Sequence, residues 1–213
     1  MELFEYKNCL MDREIYNYDT SLHQEDTALV KAFLAGEKGA FDNLVLKHKG
    51  SVFNLCYRFL GEYEEANDCA QETFVKVYMS LKKFRFDANF TTWLYRITVN
   101  TCKNKILSKE YRYSKKTVRL GNPGNSGSDA SSIDIKDESL SPRADLEREE
   151  KNRLIQEAID SLPEEQKSVV VLRDIEGVSY EEISNITGQN LGTVKSKLAR
   201  AREKLREKLK GLI

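Results

Sequence analysis

The stretch Ser179-Tyr-Glu-Glu-Ile-Ser-Asn-Ile-Thr-Gly-Gln-Asn-Leu-Gly-Thr-Val-Lys-Ser-Lys-Leu-Ala-Arg-Ala-Arg202 decides how the rest of the chain is read. It opens on S-x-x-E, Ser179 to Glu182, a pattern in which hydroxyl and carboxylate cap each other's backbone donors and start a helix. Gly188, Gln189 and Asn190 then make a turn, and a second helix is predicted from about Leu191 to Lys210. Ile183 and Ile186 should pack against Val194, Leu198 and Ala201, whose spacing of four and three keeps them on one side of that second helix. Two short helices joined by a glycine-containing turn have the dimensions of a helix-turn-helix. The opposite face carries Lys195, Ser196, Ala199 and Arg200. From 195 to 210 there are eight basic and two acidic side chains, donors suited to phosphates and, for arginine, to a guanine edge. The competing reading is a solvated basic helix end that complements the helix dipole.

Upstream, the pattern stays helical. Leu146–Ser161 reads as a helix, Pro163 starts another through Val169–Leu172, and Gly177 breaks it. Residues 121–132, Gly-Asn-Pro-Gly-Asn-Ser-Gly-Ser-Asp-Ala-Ser-Ser, have linker composition, so a flexible connection is expected over 110–147. Before it lies a second helical block. A short helix over Ala28–Ala35 ends at Gly36. Ala40–Leu60 places Phe41, Leu44, Val45, Val52, Phe53, Leu55, Cys56 and Phe59 at largely helical spacing, and Gly61 stops it. Glu64–Phe84 should turn Ala66, Cys69, Ala70, Phe74, Val77, Tyr78 and Leu81 inward. Thr91 or Thr92 is placed to cap a fourth helix running to about Ser108. The expected fold is all-α: an acidic tail over 1–26, a helical bundle over 27–109, the linker over 110–147 and a helix-turn-helix domain over 148–213. Disorder is the default expectation for the tail, whose Phe4, Tyr6, Leu10, Ile15, Tyr16 and Tyr18 leave a transient helix open.

Whole-chain composition at first argues against a nucleic-acid partner, because 34 Lys+Arg balance 34 Asp+Glu over 213 residues and such proteins are usually basic. The neutrality is a cancellation among unlike segments: residues 1–26 sum to −5, residues 111–128 to +4 and residues 129–147 to −4. The longest aliphatic run, Val169–Leu172, is far short of the ~20 residues of a membrane span. The acidic, aromatic N-terminus lacks the features of a secretory signal, so a cytoplasmic location and no membrane insertion are expected. Cys9, Cys56, Cys69 and Cys102 include no CxxC pair, and His23 and His48 are the only histidines. Reduced cysteines packed as small hydrophobes are expected, with no metal and no cofactor; the alternative is a redox-sensing role for Cys9 or another thiol. No nucleophile–base pair or phosphate-cradling loop is visible, so no catalytic residues are assigned.

Two further stripes carry information. Arg96, Asn100, Lys103 and Leu107 follow spacing 4, 3, 4 along the fourth helix, beside Lys82, Lys83, Phe84, Arg85, Phe86, Phe90 and Trp93. Cations interleaved with aromatics suit unpaired bases, which stack while phosphates meet the cations; equally, the aromatics are core and the lysines a solvated rim. Asp68, Gln71, Glu72 and Lys76 form a polar stripe that is either an ordinary exposed face, which sequence physics alone favours, or a docking face for another helix.

Five segments, in order, resemble one family. Asp68-Cys-Ala-Gln-Glu-Thr-Phe-Val-Lys-Val-Tyr78, Phe90-Thr-Thr-Trp-Leu-Tyr-Arg-Ile-Thr-Val-Asn100, Leu162-Pro-Glu-Glu-Gln166, Gly177-Val-Ser-Tyr-Glu-Glu-Ile183 and Gly192–Leu205 look like the bacterial RNA polymerase sigma factors of the extracytoplasmic-function group. The matches span about 25–108 and 146–210. The resemblance implies that the bundle is sigma region 2 and the helix-turn-helix domain is region 4. It implies core RNA polymerase and promoter DNA as partners, with an anti-sigma protein, membrane-anchored in some members, that holds the inactive state. It makes Asp68, Gln71, Glu72 and Phe74 the polymerase-docking set. Phe84 and Asn100 would line a pocket for a flipped base of the −10 element, since a ring and an amide offset the cost of unstacking. Lys83, Arg85, Arg96 and Lys103 would hold the opened strand, and Thr193, Lys195, Ser196, Lys197 and Arg200 would meet the −35 element, Lys197 at a phosphate. Phe86, where a small residue is common, and Asn89 leave the −10 preference open, and Ala199, where the family has a bulkier residue, leaves the −35 preference open.

Promoter elements two helical turns apart are separated by about 70 Å. A linker over 110–147 reaches at most ~130 Å extended and about 35 Å as a relaxed coil, so the domains can close on each other or open onto DNA. Its acidic half (Asp129, Asp134, Asp137, Glu138) is either a plain spacer or threads a basic channel of the polymerase. The alternatives are a stand-alone helix-turn-helix regulator, which needs neither the 64–78 stripe nor the 84–100 segment, and a sigma-like protein that only sequesters a regulator.

Overall fold

The computed structural model describes residues 14–108 and 142–210, and the side chains of residues 23–108 and 150–210. Among them every regular element is helical, and no helix is long and apolar enough to cross a membrane. Four helices build the N-terminal unit: α1 (Glu14–Leu34), α2 (Gly39–Leu60), α3 (Tyr63–Ser80) and α4 (Phe90–Leu107), with a single 3₁₀ turn at Leu81–Lys83. Its centre holds Val30, Leu44, Val52, Leu55, Phe59, Ala66, Val77, Leu81, Leu94 and Val99, all nearly without solvent exposure. Truncating such a buried ring as Phe59 costs about 3–5 kcal/mol. Thr73, Thr98 and Thr101 are buried polar residues, and each donates its hydroxyl to a carbonyl one turn back (Cys69, Leu94 and Ile97) at 2.8–2.9 Å. That bond is why they are tolerated inside a helical core.

Helix α1 starts at Glu14, half a helix earlier than the expected Ala28–Ala35, so residues 14–26 are not disordered tail. Its second half is held by tertiary contacts. Asp26, 1% exposed, accepts from His48 Nε2 at 3.1 Å and pairs with Lys47 Nζ at 2.8 Å on α2. Burial alone would raise the Asp26 pKa; the His48 and Lys47 contacts outweigh it and hold the carboxyl below its ordinary range. Residues 1–13, with Cys9, and residues 109–141, with most of the expected linker, lie outside the described residues. Residues 142–147 are helical, not linker.

Gly61 ends α2 for two reasons. Its φ is +74°, a left-handed conformation that favours glycine, and a Cβ there would lie 2.7 Å from Asp160 Oδ2. The expected Thr91 or Thr92 cap is not made: α4 begins at Phe90 after Asn89, whose side chain does not cap it. Both hydroxyls reach elsewhere, Thr91 to Asp26 and Thr92 to Glu182.

The C-terminal unit comprises α5 (Pro142–Asp160), α6 (Glu164–Val170), α7 (Tyr180–Thr187) and α8 (Leu191–Leu209). Pro142 is tolerated as the first residue of α5 because its missing N–H would have no helical partner there. Helix α6 runs on into a π-helical turn, Val171–Ile175, closed by Glu176 N–H to Val171 O at 3.0 Å. Ala158, Ile159, Leu162, Val169–Leu172, Ile183, Ile186, Val194, Leu198 and Ala201 make its core.

The two units pack into one continuous apolar cluster. At the seam Thr92 donates to Glu182 at 2.8 Å and Tyr95 to Glu176 at 2.7 Å. Arg58 donates to Gln156 Oε1 at 3.1 Å, and Lys167 donates to Phe59 O at 3.2 Å and pairs with Asp160 at 2.7 Å. The units are therefore in the closed arrangement.

Candidate nucleic-acid interface

Local signals set the geometry of the helix-turn-helix. Ser179 and Glu182 form the reciprocal capping box, with Glu182 N–H to Ser179 Oγ and Ser179 N–H to Glu182 Oε2 both at 3.2 Å. Gly188, at φ +70°, closes α7 by donating to Ser184 O at 2.9 Å. Asn190 Oδ1 accepts from Thr193 N–H at 2.8 Å and opens α8. Ile183, Ile186, Val194, Leu198 and Ala201 are buried between the helices, so the outer face is fixed rigidly.

On that face Lys195, Ser196, Ala199 and Arg200 are all exposed, and Thr193 is half-buried beside them. Ser196 donates to Thr193 O at 3.0 Å. Lys195 Nζ lies 5.7 Å from the Tyr180 ring centroid, a cation–π distance that limits its sweep. Lys197 departs from expectation. Its side chain is 18% exposed and pairs with Glu165 at 2.6 Å. Arg202 is likewise held by Asp174, with Nε at 3.0 Å from Oδ2. Two of the eight cations between 195 and 210 are thus neutralised within the fold.

On α4, Arg96 and Asn100 are exposed and Lys103 is half-buried. Glu165 lies near both Lys197 and Lys103, and its carboxyl is held below the usual range, first by the Lys197 hydrogen bond and also by the Lys103 charge. Lys83 and Arg85 are exposed in the loop before α4. Phe84, expected to line a base pocket, is 8% exposed: its ring packs on Phe86, Trp93 and Phe90 with centroids at 4.9, 5.2 and 6.1 Å. It is a wall of the aromatic cluster, whereas Phe86 is 41% exposed. Phe86 has φ +61°, which a non-glycine residue rarely adopts. The loop encloses a recess lined by Thr27, Lys31, Phe86, Asp87, Ala88 and Asn89.

On α3, Asp68, Gln71 and Glu72 are exposed and Phe74 is half-buried against the core. Glu72 pairs with Lys76 at 2.6 Å. The same side continues with residues that the polar reading passes over: Val75 is 58% and Met79 74% exposed. The signal is present in the spacing, since 68, 72, 75 and 79 follow 4, 3, 4 along one stripe. Tyr78, expected inward, is 49% exposed although its ring meets Phe33 and Phe41. Exposed apolar side chains next to acidic ones on one helix are the composition of a docking face. Among the described residues, the cluster with metal-ligand spacing is Cys56, Cys69 and Cys102, inside the N-terminal bundle.

Residues 44–111 match the family described as Sigma-70 region 2, and residues 152–205 match Sigma-70, region 4. These two matches, in this order on a helical chain ending in a helix-turn-helix, define a sigma-70-type transcription initiation factor, which is not an enzyme. The RNA polymerase sigma-H factor of Pseudomonas aeruginosa is 37% identical over 190 residues, covering 89% of this chain and 96% of that one. The ECF RNA polymerase sigma-E factor of Haemophilus influenzae is 34% identical over 190 residues, covering 88% and 97%. The chain belongs to the extracytoplasmic-function group of RNA polymerase sigma factors. Two solved structures share the fold: CnrH in complex with the cytosolic domain of CnrY (TM-score 0.59, 23% identity, 87% of this chain and 97% of that one) and the sigma factor RpoE in complex with the anti-sigma factor NepR from Bartonella quintana (TM-score 0.58, 22% identity, 80% and 97%).

Proposed function

We propose that this sigma factor docks on core RNA polymerase through the α3 stripe of Asp68, Gln71, Glu72, Val75 and Met79, with Phe74 bracing the helix from behind. Docked, it directs the enzyme to promoters in the cytoplasm. Arg96, Asn100 and Lys103 on α4, with Lys83, Arg85 and the aromatic loop, take the opened −10 strand. Lys195, Ser196 and Arg200 on α8 read the −35 duplex, and Thr193 meets its backbone. The observation that carries the reading is that one chain exposes two separate polar and basic stripes, on α4 and α8, each fixed on a rigid helical unit.

The closed seam supports regulation by access. Thr92 and Tyr95 on α4 are covered by α7 and the end of the π turn, one turn and one residue before Arg96. A protein that grips both units and covers the α3 stripe would keep the chain closed, and an anti-sigma protein is the class of partner that fits. The test is reconstituted transcription with purified core polymerase on a genomic promoter library. Discrete start sites that depend on this protein are expected. Absence of both core binding and transcript, with the protein free of inhibitor, would overturn the reading.

A further inference from the structure

Three of the four cysteines, from three different helices, meet at one point in the N-terminal bundle. Cys56 (α2), Cys69 (α3) and Cys102 (α4) are each 0% exposed and unbridged. The Cys69 and Cys102 sulfurs are 3.6 Å apart, those of Cys102 and Cys56 3.7 Å, and all three lie within 4.8 Å of one another. Three sulfurs spread evenly around an atom bonded at about 2.3 Å would be about 4.0 Å apart, and a pyramidal centre draws them closer. The Cys69–Cys102 and Cys102–Cys56 separations are thus within a few tenths of an ångström of that spacing, and the remaining pair, within 4.8 Å, is in reach of it by side-chain adjustment.

The donor set discriminates among occupants. No histidine, carboxylate or fourth thiol joins the cluster among the described residues, whereas structural zinc is held by four ligands. Charge discriminates further. Three thiolates around a monovalent or divalent soft cation leave a net negative charge in an interior without water, which is strongly unfavourable. A trivalent metalloid leaves none. With arsenous acid, three As–O bonds break and three As–S bonds form; the three thiol protons leave with the three hydroxyls as water, and no electrons are transferred. We propose that Cys56, Cys69 and Cys102 form a binding site for a trivalent, thiophilic metalloid of the arsenite class, captured as a neutral tris-thiolate.

Lys105 lies beside the cluster, paired with Glu65 at 2.6 Å. Because the sulfurs are buried, entry requires a local opening of the bundle, so capture is slow. Once made, the three bonds staple α2, α3 and α4 directly behind Asp68 and Glu72. The site does not depend on how those faces meet polymerase or DNA.

The test uses the full-length reduced protein and arsenite as probe, incubated for the time the bundle amides take to exchange. The expected result is one arsenic per chain by native mass spectrometry, with a mass gain of one arsenic less three protons. Arsenic X-ray absorption should show three As–S contacts, and the melting temperature should rise. Cys102→Ala should weaken retention by about 100-fold, beyond what loss of a mere supporting group costs; Cys56→Ala and Cys69→Ala should do the same, each checked for helical content. Cys9→Ser should bind like the wild type. Equal binding by wild type and Cys102→Ala, loss of binding in Cys9→Ser, two-sulfur coordination or no capture would each overturn the proposal. So would a preference for zinc at the same cysteines.

Discussion

Tyr95→Phe removes one oxygen and keeps the ring that packs in the core. The hydroxyl lost is the one that donates to Glu176 Oε2 at 2.7 Å across the seam between α4 and the π turn, from a side chain 6% exposed. A hydrogen bond to a charged partner is worth about 1.5–3 kcal/mol when its loss leaves the partner unsatisfied. Each 1.4 kcal/mol is a factor of ten in an equilibrium, so the open fraction of the free protein should rise about 10- to 100-fold. Burial raises the Glu176 pKa, and the Tyr95 hydrogen bond and the Arg58 charge only partly counter it. A raised folded-state pKa makes closure most favourable at low pH and weakens it as pH rises through that value; Tyr95→Phe, by removing a hydrogen bond that lowers the pKa, should move the weakening to higher pH. Amide hydrogen exchange read by mass spectrometry reports the seam directly. Peptides of α4 and α7 should exchange faster by the stated factor, while those of α3, which makes none of the seam hydrogen bonds, keep their protection. Equal acceleration in α3 would mean that Tyr95 only supports the bundle core. No change at the seam would mean that the Glu176 contact does not hold the units together.

Arg200→Ala should weaken binding of −35 duplex by about 1–3 kcal/mol in the polymerase-bound state and leave core affinity unchanged; equal loss of both in a filter-binding and pull-down pair would refute the assignment of that face. Val75→Glu with Met79→Glu should abolish core polymerase binding without lowering the melting temperature, because both side chains are already more than half exposed; retained binding would move the docking face elsewhere. Asp26→Asn should destabilise the N-terminal unit by about 1–3 kcal/mol, since it removes the buried charged acceptor of His48 and Lys47 while Lys47, 22% exposed, keeps its pair with Glu25 at 3.0 Å. The Asp26 carboxyl is held below its ordinary range, so its contribution is present above the unfolded-state pKa and lost as pH falls through the folded value; the variant's acid denaturation curve should lack that limb. Gly61→Ala should cost about 1–3 kcal/mol from its left-handed φ, more than the clash with the flexible Asp160 carboxylate adds, as read from chemical denaturation.

The helix-turn-helix was legible because every signal for it is local. The Ser179–Glu182 box, Gly188 in the left-handed region and the apolar spacing from Ile183 to Ala201 each act within one or two turns, and each recurs in the structure. What the sequence concealed is tertiary. The packing of α1 depends on Asp26 meeting Lys47 and His48 across 21 and 22 residues, and an acidic segment without those partners reads as a tail. Thr91 and Thr92 have the chemistry of caps, but Asp26 and Glu182 recruit their hydroxyls instead. Val75 and Met79 share a stripe with Asp68 and Glu72, but apolar residues are read as inward unless something shows that the helix is covered on its other side. The cysteine cluster joins residues 13 and 33 apart in sequence, spacings that follow no ligand motif because three helices contribute one sulfur each.

The net charge of zero has a structural meaning that composition hides. The carboxylates that offset the basic α8 helix are placed on it or at the seam: Asp174 on Arg202, Glu165 on Lys197 and near Lys103, Glu176 on Tyr95 and Glu182 on Thr92. In the closed arrangement Glu165 pairs with Lys197 and feels the charge of Lys103, so one acid screens part of the basic stripes of both units. If Lys103 meets a phosphate as proposed, opening would leave Glu165 with Lys197 and free Lys103 for it, a gain in positive potential on α4 without any change in composition. Since phosphate contacts dominate affinity for nucleic acid and its salt dependence, the open chain should bind more tightly and with a steeper salt slope than the closed one. The two states are therefore separated by electrostatics as well as by shape, and Glu165→Gln should narrow the difference between them while leaving the fold, at so exposed a residue, unchanged.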